Sequence, residues 1–181
     1  MKRILWGALF GLAATLGGVS DTHAQVNVTL PNSSQTTTLT ASVAEQASVM
    51  VPAGVTFTVN DTGSATAASA ASVSATGIVL ATATKQLKIS LQANAATFSP
   101  PSGAITWNAS DVTWNAATWT NATGSAGTLS NSAYNTVATC TAGASSCATT
   151  GLAFTLAAKP TIVRSGNYTL VVTWKFESIG T

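Results

Sequence analysis

Thr106-Trp-Asn-Ala109 recurs as Thr113-Trp-Asn-Ala116, and Thr118-Trp119 closes the same stretch. Indole rings beside Asn, Asp and Thr suit glycan recognition, because rings stack on pyranose faces while amides bind hydroxyls. Trp119 leads into the polar, glycine-containing run Thr120–Gly124, so it is the ring expected at the surface. Trp119, Asn121 and Asp111 form the candidate glycan-binding set. Trp107 and Trp114 are assigned to the core. Ile105 shares a strand face with Trp107, and Val112 shares one with Trp114, which predicts two core strands joined by the turn Asn108–Asp111.

Cys140 and Cys147 are separated by Thr-Ala-Gly-Ala-Ser-Ser. In an exported chain this spacing predicts a disulfide that clamps a hairpin tip. Metal ligation by the pair would need further His or Cys, and the one histidine, His23, falls in the leader described below. No metal site and no cofactor are expected. General acid–base chemistry would rest on Glu45, Asp61, Asp111 and Glu177, and a glycosidase needs two of these facing each other. They lie on separate segments, each readable as a solvated turn or strand-edge group. No catalytic residue is assigned.

The positioning elements begin after a leader. Lys2 and Arg3 precede an apolar stretch, Ile4–Leu16, and Thr22-His-Ala24 places small residues at a signal-peptidase site. Residues 1–24 are therefore read as a signal peptide and 25–181 as one domain. Cleavage leaves Lys85, Lys88, Lys159, Arg164 and Lys175 against the four carboxylates, a net charge of five minus four, or +1. No basic patch is present for phosphates, so nucleic acid is not an expected partner. No later stretch is apolar enough to span a membrane. Thr, Ser and Asn supply the polar surface, and so little charge opposes self-association weakly.

Alternation of apolar and polar residues recurs through the remainder. Val26–Leu30, Leu39–Val43, Val55–Val59, Gly77–Ala81, Leu87–Leu91, Asn135–Cys140 and Leu152–Leu156 read as short strands. Tyr168, Leu170, Val172, Trp174 and Phe176 share one face of a last strand. Asn60–Gly63, Ser99–Gly103 and Arg164–Asn167 supply turns, while Ala65–Ala75 reads as a surface loop. The pattern predicts an all-β chain, a single antiparallel β-sandwich of immunoglobulin-like type.

Gly166-Asn-Tyr-Thr-Leu-Val-Val-Thr-Trp-Lys-Phe176 resembles the distal motif of WxL cell-wall-binding domains, with Phe176 where that motif has Leu. That resemblance implies non-covalent attachment to peptidoglycan. The export signal, the early alternating strand, the cysteine pair and the final strand after Gly166 together resemble chaperone–usher pilins and spore-coat-U-like secreted proteins. That resemblance implies donor-strand exchange, in which one subunit's N-terminal strand completes the next subunit's sheet. Val26, Val28 and Leu30 are the candidate donor strand, tethered by Pro31-Asn-Ser-Ser34, and the alternative is that this strand pairs with the chain's own sheet.

The expected function is that of a non-enzymatic bacterial protein, secreted or at the cell surface. It would act as a structural or adhesive component, self-associating by strand addition as a fimbrial-type subunit. The alternative is a module that binds glycan or cell-wall polymer through an exposed tryptophan.

Overall fold

The computed structural model describes residues 27, 29–31 and 35–180. The expected signal peptide, with Val26 and Val28 of the candidate donor strand, lies outside the described residues. The chain divides into two units, residues 1–41 and 42–181, and every strand among the described residues belongs to the second.

Among the described residues eleven strands follow in order. The first six are β1 (Gln46–Met50), β2 (Thr66–Ala67), β3 (Ala71–Val79), β4 (Gln86–Ala93), β5 (Val112–Trp114) and β6 (Ala122–Gly124). The rest are β7 (Gly127–Thr128), β8 (Asn135–Cys140), β9 (Ser146–Leu152), β10 (Phe154–Leu156) and β11 (Val172–Ile179). They form three antiparallel sheets, ordered β1-β3-β9, β2-β10-β5-β7 and β11-β4-β8-β6. One hydrophobic cluster draws on all three sheets, so the chain is an all-β sandwich. Among the described residues no helix is long and apolar enough to cross a membrane.

β4 shows why the sequence folds this way. Leu87, Ile89, Leu91 and Ala93 alternate into the core, and the strand lies between β11 and β8. Ser90 is also fully buried, and its hydroxyl has no hydrogen-bond partner among the described residues.

The segment Ala65–Ala75 corrects the sequence reading. Instead of a surface loop it supplies β2 and the first half of β3, with Val73 and Ala75 fully buried. Ala and Ser differ so little in hydropathy and size that the period of two is faint in sequence. Gly77, at φ 58°, then interrupts the ladder with β1, shifting the buried phase from Ala75 to Ile78.

Two further strands expected from alternation have no ladder partner among the described residues. Leu39–Val43 is exposed throughout. Val55–Val59 keeps its alternation, with Val55, Phe57 and Val59 half-buried and Thr56 and Thr58 exposed. Ile105 does not share the core with Trp107: it is exposed, because the stretch before Trp107 forms no regular strand. The turn expected at Asn108–Asp111 is a short 3-10 turn, Ala109–Asp111, which delivers Val112 and Trp114 to the core.

Candidate functional site

Among the described residues β11 has a ladder partner on one side only. Eight register pairs, from Val172↔Ala93 to Ile179↔Gln86, join it to β4, and it forms the margin of its sheet among the described residues. Upstream, Thr169 exchanges backbone hydrogen bonds with Ser99 at 3.1 and 2.7 Å. The apolar side of this final stretch, Tyr168 to Phe176, packs against the core yet stays half-buried. A strand with both neighbours in place would bury such a face more fully.

The stretch that leads into β11, with Val172 and Trp174 of the strand itself, borders a cleft of about 930 Å³. Val55, Phe57 and Val59 line it from one segment, and Leu170, Val172 and Trp174 from the other. Its floor includes the buried side chains of Leu91, Trp107, Val112 and Phe154. Arg164 and Asn167 are polar members of the lining near the turn before β11. The lining follows two chain segments along their length, intervening residues such as Thr56, Thr169 and Val171 included, but the half-buried apolar side chains are every second one. Apolar seats therefore recur about every 6.6 Å, the spacing of same-face residues in a strand. The sequence showed both lining segments as alternating runs, but nothing local in either run shows that they flank one cleft.

The residues proposed for glycan contact are placed otherwise. Trp119, expected at the surface, is only 8% exposed. Asn121 adopts φ 54° and turns the chain into β6, whose Gly124 lies against the Trp119 ring. A Cβ at Gly124 would come within 2.8 Å of Trp119 Cδ1, so the missing side chain is what lets the ring be covered. The Asn121 side-chain amide donates to the Ser146 carbonyl at 3.2 Å. Asp111 caps its own turn, accepting from the Asn108 backbone at 2.8 Å, and pairs with Lys159 at 3.0 Å. None of the three lines the cleft.

Glu45 and Asp61 also hold backbone in place, while Glu177 pairs with lysine side chains. Glu45, at the entry to β1, accepts hydrogen bonds from the Ala81 backbone at 2.7 Å, Lys85 at 3.1 Å and Ser178 at 3.2 Å. One carboxylate thus ties the start of β1 to the β3–β4 loop and the end of β11. The Ala81 N–H, followed by the Lys85 ammonium, holds its pKa below the usual glutamate range. Asp61 is lowered by the Ser64 hydroxyl and then the Gly63 amide within the turn Asn60–Gly63. Glu177 is lowered by Lys175 and then Lys88.

A group whose pKa is depressed in the fold stabilises it above the ordinary carboxylate range. That contribution is lost as pH falls through the depressed native value. The urea midpoint is therefore expected to be flat above about pH 6 and to fall below about pH 4.5. Glu45→Gln should lower the neutral-pH midpoint and make the acid slope shallower. An unchanged slope in that variant would show that Glu45 makes no contribution.

Cys140 and Cys147 form the expected disulfide, with Cα atoms 5.9 Å apart. The pair does not close a hairpin. β8 belongs to the sheet of β4 and β11, whereas β9 pairs with β3, so the bond ties two sheets across an arch. Compared with known proteins, the chain matches no family model, no curated protein and no solved structure.

Proposed function

We propose that this chain is an exported, non-enzymatic structural subunit that joins further copies by strand addition. The observation that carries the reading is the apolar cleft lined by Val55–Val59 and by Leu170, Val172 and Trp174, together with the place of β11 at the margin of its sheet. An added strand would satisfy the free backbone groups of β11 and seat alternate side chains against the half-buried Leu170, Val172 and Trp174. Few surface charges oppose such contacts. The outline shared with pilins and spore-coat-U-like proteins adds support from sequence. Glycan binding through Trp119 has less support, because that ring is covered.

The test is the mass distribution of the chain from Gln25 onward, by light scattering after size exclusion, with and without residues 25–43. Multimers that vanish on deletion are expected. A chain that is monomeric in both forms at high concentration overturns the reading.

A further inference from the structure

We propose that the cleft binds an alkyl monocarboxylate, its tail on the apolar floor and its carboxylate at Arg164. The inference stands on the cleft itself and does not depend on strand addition. A volume of about 930 Å³ lies within the usual small-molecule range of about 300–1,000 Å³. Such sites join apolar and aromatic walls to a few placed polar groups. Phe57, Phe154, Trp107 and Trp174 supply the rings here, with Leu91 and Val112 between the buried ones. The indole Nε1–H of Trp107 is already donated to the Ala157 carbonyl at 3.0 Å. What lies on this floor gains by being hydrocarbon, because a polar group there would lose water without replacement.

The head group follows from charge. Arg164 is the only charged residue among the described residues that line the cleft. Lys85, Lys88, Lys159 and Lys175 each pair with a carboxylate, whereas Arg164 pairs with none among the described residues. Its guanidinium donates to the Ser102 carbonyl at 3.2 Å, which leaves most of the fork open. The chain has no carboxylate to spare for it. Glu45, Asp111 and Glu177 are held by lysines, and Asp61 by the Ser64 hydroxyl and the Gly63 amide. A counter-charge at this place therefore arrives with the ligand, and a guanidinium fork matches a carboxylate bidentately. The turn that carries Arg164 is also anchored. The Tyr168 hydroxyl donates to the Arg164 carbonyl at 2.9 Å, and Gly166 lies so close to Pro101 that a Cβ would come within 2.5 Å of its ring. Arg164 and Leu170 belong to one continuous stretch of lining, so head and tail contacts hold a fixed relation. The tail would take the seats that an added strand would use, so ligand and strand exclude each other.

The experiment titrates dodecanoate, below its micelle-forming concentration, into the chain from Gln25 onward by calorimetry. Dodecan-1-ol, which keeps the tail without the charge, and acetate, which keeps the charge without the tail, are titrated alongside. Saturable binding of dodecanoate is expected, with dodecan-1-ol weaker and acetate without effect. Arg164→Gln should weaken dodecanoate roughly tenfold and leave dodecan-1-ol unchanged, while Leu170→Asn should weaken both. Circular dichroism checks that each variant stays folded. Absence of saturable dodecanoate binding overturns the proposal, and so does equal affinity of wild type and Arg164→Gln for dodecanoate. Binding that emerges only when residues 25–43 are deleted also overturns it, because the leading chain, of the same or another copy, would then hold the cleft. None of these results bears on whether multimers form, which light scattering reads separately.

Discussion

Trp107→Ala is expected to cost about 3–5 kcal/mol of folding stability, a large share of what a domain of this size possesses. The ring is 4% exposed and lies at the floor of the cleft. It meets Tyr168 edge-on at 5.1 Å between centroids and Phe98 at 6.5 Å. Its Nε1–H donates to the Ala157 carbonyl at 3.0 Å, fifty residues along the chain. Truncation would remove the apolar area, leave a void between three segments, and leave that carbonyl without its indole donor. Trp107→Phe separates these effects. It keeps most of the apolar contact and loses the hydrogen bond, so it should cost only about 1–2 kcal/mol. Equilibrium urea unfolding of the three proteins measures both values. A change below about 1 kcal/mol for the alanine variant would mean that the floor is not under load.

The second large effect belongs to the disulfide. Replacing Cys140 and Cys147 together by alanine is expected to cost about 2–4 kcal/mol. Closing so short an arch restricts the unfolded chain by about 2.5 kcal/mol in the chain-entropy model. Both cysteines are 1% exposed, so lost packing of the sulfur atoms adds to this. Because the bond joins β8 to β9 across two sheets, the loss should extend beyond the arch itself. Hydrogen exchange would then rise in β3 and β4, the neighbours of β9 and β8. Exchange that increases only between residues 140 and 147 would restrict the bond to a local clamp.

What the sequence made legible depended on side-chain contrast. β4, β8 and the face of β11 combine Leu, Ile, Val or aromatic residues with Thr, Lys or Ser, and their period of two is plain. β3 opens with Ala and Ser, whose contrast is small, and its buried Val73 and Ala75 passed for loop. Leu39–Val43 shows the opposite error. Alternation records a capacity to pair, and this segment has no ladder partner among the described residues. Trp119 depended on a contact between Gly124 and its ring, with Asn121 at positive φ turning the chain between them. Composition suggested an exposed polar run there. The cleft itself is non-local: Phe57 and Val172 are far apart in sequence, and only the topology sets them around one space.

The one backbone ladder that holds β11 among the described residues gives the sandwich a mechanical anisotropy. Tension applied along the axis of β11 shears all eight register pairs with β4 together, so they must yield almost at once. Tension applied across the strand at Ile179 opens the same pairs one after another, each rupture passing the full load to the next. The Cys140–Cys147 bond lies outside this seam and cannot arrest it. The ladder thus resists load along β11 better than load across it at Ile179, where the Ser178–Glu45 hydrogen bond is the first contact to be tested.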